Sequence, residues 1–269
     1  MQVTLLCPVR QCGLPLPREG RRYACENGHS FDVAKSGYVN LLQPQDSRSR
    51  NPGDTAAAAA ARRRVLDAGH AAPLVEAIVT LLPLQSEDAV LDAGCGEGHH
   101  LAAFRRAYGC EAHGVDISVA AIDLAARRYR DSHWVVANAD RVLPFADGSF
   151  QAITSITSRM NPSEFRRLLA PGGSLLLAIP GSDDLIELRE SILGEAIQRD
   201  RTDRTIDLFT PTFALERTER LRHTVRLDHD AIADIMASSY RGLRTRERER
   251  LDRLGPVDVT MSRDVLLFR

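Results

Sequence analysis

The feature that most constrains the fold is a glycine-rich segment at residues 90–98, Val-Leu-Asp-Ala-Gly-Cys-Gly-Glu-Gly. A short apolar run ends in Asp92, and glycines follow at three alternate positions. The run predicts a buried parallel strand, and the glycines predict a sharp turn, because backbone at positive φ or flat against a ligand has no room for a Cβ. A helix is expected from about His99, with its first amides pointing at whatever occupies the turn.

Later segments distinguish between the ligands that such a turn can hold. The turn alone is a weak signal, since dinucleotide-binding and S-adenosylmethionine-binding domains share it. About one βα unit later an apolar run ends in Asp116, where a carboxylate can accept both hydroxyls of a ribose. Segments 135–140 and 168–179 follow, the second with a Pro-Gly-Gly turn. Over roughly residues 86–180, this ordered set closely resembles the class I S-adenosylmethionine-dependent methyltransferases.

This resemblance implies an α/β, Rossmann-like fold and a binding site for S-adenosylmethionine. The glycine turn and Glu97 would lie along the methionine and ribose, Asp116 would take the ribose hydroxyls, and Asn138 would flank the adenine. The implied cofactor-binding residues follow three successive strands: Asp92, Gly94, Gly96, Glu97, Asp116, Asn138 and Ala139. The alternative is an α/β domain whose glycines only turn the chain.

The N-terminal segment carries a second strong signal. Cys7, Cys12, Cys25 and His29 have the spacing C-x4-C-x12-C-x3-H. Zinc prefers four such donors at tetrahedral corners, supplied in pairs from tight turns. A module this short cannot hold itself together by apolar burial, so metal binding would supply its folding energy. The alternative is two unrelated cysteine pairs with His29 at the surface.

The residues around these ligands identify a more specific family. Segments 25–32, Cys-Glu-Asn-Gly-His-Ser-Phe-Asp, and 37–42, Gly-Tyr-Val-Asn-Leu-Leu, resemble the RlmA family of bacterial 23S rRNA guanine-N1 methyltransferases, including its tylosin-resistance branch. Matches such as Asn-Pro-Gly-Asp at 51–54 extend the resemblance along the chain. It implies a zinc ribbon that grips an rRNA hairpin, and a homodimer.

Domain boundaries follow from this resemblance. We expect a zinc-ribbon RNA-recognition domain over residues 1–42, a linker and helix over 43–70, and the methyltransferase domain over 71–269. Two positions depart from the family pattern, because Ala71 stands where tyrosine is common and Asp184 where histidine is usual. Both family positions lie near the methyl donor, so neither role is transferred to this chain.

Length, charge and cysteine count set the outer limits. At 269 residues and 43% hydrophobic content, the chain can form one large domain and a small one. The net charge of −1 does not by itself indicate a polyanionic partner. No membrane span or signal-peptide pattern is recognised, and five cysteines then favour a reducing cytoplasm. Cys95 and Cys110 are interpreted as small buried side chains.

The segment 43–64 is polar, with two prolines and a glycine ahead of an alanine run. It predicts a linker followed by a helix that Thr55 caps. Its arginines could form forks with RNA phosphates, or could lie on a solvated linker and helix face. Both interpretations are open for the five arginines: Arg48, Arg50, Arg62, Arg63 and Arg64.

Residues 161–163, Asn-Pro-Ser, resemble the Asn-Pro-Pro-aromatic signature of amino-group methyltransferases. The favoured interpretation is a helix start, with Asn161 as the cap, Pro162 as the first residue and Glu164 completing a capping box. Beyond residue 180 the pattern predicts helix, strand, helix and strand at 183–199, 213–227, 228–238 and 257–268. That order suits the antiparallel strands that close class I methyltransferases.

The resemblance predicts methyl transfer from S-adenosylmethionine to N1 of a guanine in a hairpin loop of 23S rRNA. N1 lies on the base-pairing edge and carries a proton, so the guanine must be unpaired or flipped out and the proton must leave. The sequence does not identify the catalytic base. Three alternatives are a methyltransferase of small molecules or proteins, a zinc-containing RNA-binding homologue without catalysis, and a nicotinamide-dependent enzyme. The Pro-Gly-Gly turn at 171–173 and the closing antiparallel strands disfavour the third.

Overall fold

The computed structural model describes residues 3–47, 52–194, 197–198, 200–239 and 244–269. The strands are β1 Arg18–Glu19, β2 Arg22–Ala24, β3 Ser30–Asp32, β4 Val39–Asn40, β5 Ala89–Ala93, β6 Glu111–Asp116, β7 His133–Val136, β8 Phe150–Ile156, β9 Leu169–Pro180, β10 Leu215–Leu227 and β11 Val257–Phe268. The α-helices are α1 Ala56–Asp67, α2 Ala72–Leu81, α3 His99–Tyr108, α4 Val119–Arg128, α5 Pro162–Leu168, α6 Ile186–Leu188, α7 Thr202–Phe209, α8 His229–Ser239 and α9 Thr245–Asp252. None of the helices in these ranges is long and apolar enough to span a membrane.

The N-terminal module is a small antiparallel sheet in the order β1-β2-β3. Its strands are two or three residues long, and most of their side chains are exposed or only half-buried. The module joins the larger domain through the chain just before it, where Leu5 bridges Phe145 and the Leu6 amide donates to Pro144. The three strands themselves bury little apolar area, and the apolar contacts of the module come mainly from Leu16, Tyr23 and Phe31, which join the core of the large domain.

The second sheet has eight strands in the order β10-β11-β9-β8-β5-β6-β7-β4. The strands from β4 to β9 in this order run parallel, and β11 and β10 add an antiparallel pair at one edge. All five residues of β5 are buried, and Val90 and Leu91 belong to different core clusters. Alternate residues of a strand point to opposite faces, so this pattern places apolar packing on both sides of the sheet.

The strand order positions a ligand site. From β5 the chain continues to β6 and β7 on one side, and then returns to β8 on the other side of β5. At such a reversal the loops that leave neighbouring strands diverge and open a crevice at the carboxyl ends of the strands. The glycine turn leaves β5 at this point, as expected, and α3 begins at His99.

The linker helix and the closing strands also agree with the sequence. Thr55 caps α1, since its hydroxyl accepts a 3.2 Å hydrogen bond from the Ala58 amide. Strands β10 and β11 pair antiparallel along their length, and α8 lies between them in the chain. Arg48 and Arg50 lie outside the described residues, so the expectation for their side chains stays a prediction.

The helix expected at 183–199 is confirmed only in part. Among the described residues of this span, α6 continues directly into a π-helical turn at Arg189–Leu193, and Gly194 ends the turn at φ 75°. Positions 195, 196 and 199 lie outside the described residues. The buried guanidinium of Arg189 donates to the carbonyls of Ser182 and Ile197, which ties the segment to its flanks instead of extending a helix. The sequence signals also do not reveal α7 and α9.

The capping box expected at Asn161 is wrong, although Pro162 does begin α5. The Asn161 amide donates to the carbonyls of Ala139 and Arg141 at 3.2 and 3.3 Å. Glu164 accepts a 2.6 Å hydrogen bond from the Leu143 amide and does not reach back to the helix start. Both side chains instead hold the loop after β7, which borders the crevice.

Candidate active site and metal centre

The four N-terminal ligands lie together. Cys12 Sγ is 3.8 Å from Cys25 Sγ, and His29 Nδ1 is 3.4 Å from Cys7 Sγ and 3.5 Å from Cys25 Sγ. A tetrahedral zinc ion with ordinary bond lengths requires S–S edges of roughly 3.8 Å and S–N edges of roughly 3.6 Å. The donor set and its spacing therefore fit Zn²⁺, and the alternative of unrelated cysteine pairs does not describe this cluster.

Backbone turns bring these ligands together. The Gly28 amide donates to the Cys25 carbonyl at 2.9 Å, and Gly28 adopts φ 79°, which strongly favours glycine. A hydrogen bond from the Leu14 amide lowers the pKa of the Cys12 thiol to about 6. The Asn27 side chain contacts the same sulfur at 3.4 Å. Such donors favour the thiolate, which is the form that binds metal.

A cavity of about 950 Å³ opens at the carboxyl ends of β5, β6 and β7. Its floor is the glycine turn, and α1, α8 and the β10–β11 pair form its walls. The cavity is lined by all seven sequence-predicted cofactor residues: Asp92, Gly94, Gly96, Glu97, Asp116, Asn138 and Ala139. Its volume is at the upper end of the range for small-molecule sites, so there is space for a cofactor and part of a second substrate.

Asp116 is the best-positioned acid in this cavity. Its two carboxylate oxygens accept hydrogen bonds from the Gly96 amide at 2.9 Å and the Ser118 amide at 2.8 Å. Burial raises the pKa of Asp116, and these amides oppose the rise. Each carboxylate oxygen has a second lone pair, so the group can still accept from two adjacent hydroxyls.

The glycine turn fits a ligand that lies against its backbone. Gly96 adopts φ 56°, and a Cβ built there would meet only Arg62 Cδ, at 3.9 Å. A Cβ on Gly94 would collide with the Ser158 side chain, so that glycine allows two loops to approach closely. Gly96 thus leaves the space beside the Asp116 carboxylate open, which fits a ribose-bearing cofactor.

Asp92 lies beneath the turn and is buried. Its carboxylate accepts a 2.9 Å hydrogen bond from the Thr154 hydroxyl on the neighbouring strand β8. Burial raises its pKa to about 7, because desolvation disfavours the charged form. Asp92 therefore connects the two strands that flank the crevice.

Two buried polar atoms on the cavity wall have no hydrogen-bond partner within the described ranges: Glu97 Oε1 and His100 Nε2. Glu97 is partly balanced by Arg63, at 3.4 Å from its other oxygen. Burial lowers the pKa of His100 to about 3, so this imidazole is neutral at neutral pH. A polar ligand satisfies such atoms, and leaving them unpaired is costly. The sequence analysis missed His100, whose only signal was its place in the first turn of α3.

Comparisons with known proteins agree with both sites. A family model described as "RlmA, N-terminal" matches residues 5–50, and one described as "Methyltransferase domain" matches 90–173. A Streptomyces fradiae protein named 23S rRNA (guanine(748)-N(1))-methyltransferase is 38% identical over 239 residues, which cover 87% of this chain and 83% of the relative. The chain belongs to the RlmA-type 23S rRNA (guanine-N1)-methyltransferase family. It is an S-adenosylmethionine-dependent methyltransferase whose cofactors are S-adenosylmethionine and Zn²⁺.

Further relatives are consistent with this assignment. A Bacillus subtilis (strain 168) protein, provisionally named a 23S rRNA (guanine-N(1)-)-methyltransferase, is 35% identical over 84% of this chain and 82% of its own. Among solved structures, the YcgJ protein from Bacillus subtilis has a TM-score of 0.56 at 16% identity, covering 72% of this chain and 96% of that one. The structural likeness shows a shared fold alone.

The two departures of this methyltransferase from its family pattern lie at or behind the cavity wall. Ala71 lines the cavity with a small side chain. Asp184 lies against β11, where it accepts from the Ser262 amide at 2.9 Å and pairs with Arg263. Arg263 in turn lines the cavity, so an arginine held by Asp184 faces the site. Strand register brings Arg263 to the cavity. It lies opposite Leu221, and two residues away Met261 lies opposite His223 on the same face of the strand pair.

Asn138 uses its side chain to hold loops together. Its amide donates to the Asp46 carbonyl at 2.8 Å, and its oxygen accepts from the Asp140 amide at 2.9 Å. With Ala139, it forms a wall of the cavity at the end of β7. The contribution of Asn138 to an adenine site is therefore mainly through the shape of this wall.

The arginines of α1 make contacts within the protein that neither sequence interpretation included. Arg62 contacts Asp54 and the Ser238 carbonyl at 2.9 and 2.8 Å. Arg64 forms a 2.7 Å hydrogen bond to Asp234 on α8. Arg63, as described, faces Glu97. All three guanidinium groups thus help to hold α1 in place. The Arg64 side chain is still 61% exposed, and phosphate contact by these arginines stays a prediction.

Proposed function

We propose that this chain transfers the methyl group of S-adenosylmethionine to N1 of a guanine in a hairpin loop of 23S rRNA. The observation that carries the proposal is the pairing, in one chain, of a Cys₃His cluster with zinc spacing and a donor cavity at the reversal of the sheet. The names of the two curated relatives support the substrate. In this proposal the zinc module holds the RNA and the cavity holds the methyl donor.

The cofactor residues have distinct tasks in this proposal. The Asp116 carboxylate accepts the ribose hydroxyls, while the amides of Gly96 and Ser118 keep it oriented and charged. The glycine turn lies along the ribose and methionine, where Glu97 and His100 offer unpaired buried atoms. Asn138 and Ala139 border the adenine. Cys7, Cys12, Cys25 and His29 hold Zn²⁺.

The methyl on the bound sulfonium is already electrophilic, so the protein mainly aligns the incoming nitrogen and excludes water. The cavity has room beside the cofactor wall for a flipped base, and α1 and the β10–β11 pair line that part of it. Guanine N1 must lose its proton as it accepts the methyl group. We assign no residue to that proton transfer.

The homodimer, the cytoplasmic location and the domain limits of 1–42, 43–70 and 71–269 belong to the same proposal. Family resemblance supports the dimer and its shared RNA cleft. Strand β4 at Val39–Asn40 falls within the first of these domains, yet it pairs with β7 of the large sheet. Sedimentation of the full chain with rRNA tests the dimer, and a monomer at saturating RNA contradicts it.

The decisive experiment incubates the full chain with labelled S-adenosylmethionine and unmodified 23S rRNA. Methylated N1 cannot pair, so primer extension should stop at one guanine within a hairpin loop. Omitting the cofactor and using rRNA that is already modified serve as controls. Donor binding without rRNA labelling supports a small-molecule or protein substrate instead. RNA binding without donor binding supports a homologue that has lost catalysis.

A further inference from the structure

A second cluster of metal-binding side chains lies at the opposite end of the large sheet from the donor cavity. Glu111 and His113 are two residues apart on β6, so they share a face of the sheet. His133 begins β7 and pairs in register with His113. The backbone therefore places one carboxylate and two imidazoles side by side, independently of any flexible loop.

The ligand atoms are close enough to share one ion. His113 Nε2 is 2.9 Å and His133 Nε2 is 3.8 Å from Glu111 Oε1, and one donor atom from each residue lies within 4.8 Å of the others. Donor pairs around a tetrahedral zinc ion are separated by roughly 3.4 Å when metal–ligand bonds are about 2.0–2.1 Å. The two imidazole rings are stacked, with centroids 4.5 Å apart. Since stacked rings direct their nitrogens along nearly parallel lines, the more exposed His133 ring would have to turn for both imidazoles to face one ion.

The surroundings suit an ion with protein ligands on one side and water on the other. The His113 side chain is only 6% exposed and is fixed between the edges of Phe145 and Phe150. The His133 side chain is 52% exposed and that of Glu111 is 29% exposed, so the cluster opens to solvent.

We propose that Glu111, His113 and His133 form a second metal centre for a divalent ion of the Zn²⁺ class, with water completing its coordination. Two imidazoles and one carboxylate are donors that suit zinc and its neighbours in the transition series. The site is separate from the Cys₃His cluster and does not depend on the proposed function. It lies beneath Phe145, which Leu5 bridges, and so braces the sheet where the N-terminal module is attached.

Metal stoichiometry of the full chain tests this site. The protein is stripped with a chelator, reloaded with Zn²⁺ alone, separated from excess ion and measured by elemental analysis. We expect two zinc ions per wild-type chain and one in His133→Asn, a half-exposed position that should tolerate the change. Equal zinc content in the two proteins would overturn the proposal.

Two control variants separate this site from other sources of zinc. His229 also lies near an acid, 3.6 Å from Asp230, but is not part of a cluster of three such ligands among the described residues. His229→Asn should therefore retain both ions. Cys25→Ala should lose the other ion and keep the one at His133, so failure of the Cys₃His site is recognised separately. A loss in His229→Asn equal to that in His133→Asn contradicts the assignment.

Replacing zinc with Co²⁺ provides a second readout. The Cys₃His cluster should give strong thiolate-to-cobalt charge-transfer bands, whereas a His₂Glu site gives only weak visible bands because it has no sulfur ligand. In His133→Asn the weak component should disappear and the charge-transfer bands should stay unchanged. Identical cobalt spectra in wild type and variant rule the second site out.

Discussion

The N-terminal module and the eight-stranded domain are stabilised in different ways. Strands β1 to β3 are very short, and their residues are exposed or half-buried, so four metal ligands hold the module together. Strand β5 is completely buried and packs into apolar clusters on both faces. The comparison teaches that the large domain depends on apolar area removed from water, whereas the module adds metal ligands to the apolar contacts by which Leu16 and Phe31 join the same core cluster.

The largest expected effect on stability comes from truncating a large side chain in the apolar core. Phe104 on α3 is completely buried, so Phe104→Ala should lower the free energy of unfolding by about 3–5 kcal/mol. Phe31→Ala on β3 is the matched change in the metal-held module, where the ring is only half-buried. Urea unfolding of the zinc-loaded proteins should show a clearly smaller loss for Phe31→Ala. Equal losses would remove the distinction between the two regions.

The next prediction distinguishes the role of the N-terminal module in rRNA labelling from that of the large domain in donor binding. Cys25→Ala removes a metal ligand, and we expect rRNA labelling to fall by at least about 100-fold while donor affinity changes by less than about twofold, since the donor cavity lies elsewhere. Cys110→Ala is the control, because Cys110 is a buried cysteine of the large domain outside both sites. Calorimetric titration of S-adenosylmethionine measures the donor affinity. A parallel loss of donor binding in Cys25→Ala would show that the two regions are not independent.

A complementary change acts on the large domain alone. Asp116→Asn removes one carboxylate oxygen and its charge, so the side chain can no longer accept both backbone amides and both ribose hydroxyls. Hydrogen bonds to a charged group contribute about 1.5–3 kcal/mol, so donor affinity should fall by about 10- to 100-fold. Zinc content should stay the same as in wild type. Asp123→Asn on α4, away from the cavity, should leave donor affinity unchanged.

The smallest expected effect is a difference in pH dependence. Burial raises the folded-state pKa of Asp92 to about 7, so folding favours its protonated form. This group therefore contributes to the free energy of unfolding in full below its unfolded pKa near 3.8, and the contribution is lost as pH rises through about 7. In urea unfolding, the free energy of unfolding should differ less between pH 5.5 and pH 8 for Asp92→Asn than for wild type. The metal-held module should show the opposite trend, because protons compete with zinc as pH falls.

Features that depend on neighbouring residues were predictable from the sequence. The glycine turn, the start of α3 and the Thr55 cap require only local backbone chemistry, and the structure confirms them. The four zinc ligands were predicted because paired donors on tight turns keep a short, characteristic spacing. Their sulfur and nitrogen atoms indeed lie at tetrahedral distances.

Features that depend on long-range partners were not predictable. Asn161 and Glu164 have the spacing of a capping box, but the loop after β7 offers them backbone groups and draws them away from the helix start. Similarly, no local pattern indicates that the α1 arginines pair with Asp54, Glu97 and Asp234. A polar side chain pairs with the best partner within reach, and sequence distance does not indicate which partner that is.

By itself, the sequence determined that this chain has a zinc-binding module ahead of an α/β methyltransferase domain. Turn conformation and ligand spacing depend on residues that are close together in the chain. Only the tertiary structure decided which side chains share a wall. Strand register placed Arg263 and His223 on the donor cavity and stacked His113 against His133. Register depends on packing between segments far apart in the chain, and so no local pattern could reveal it.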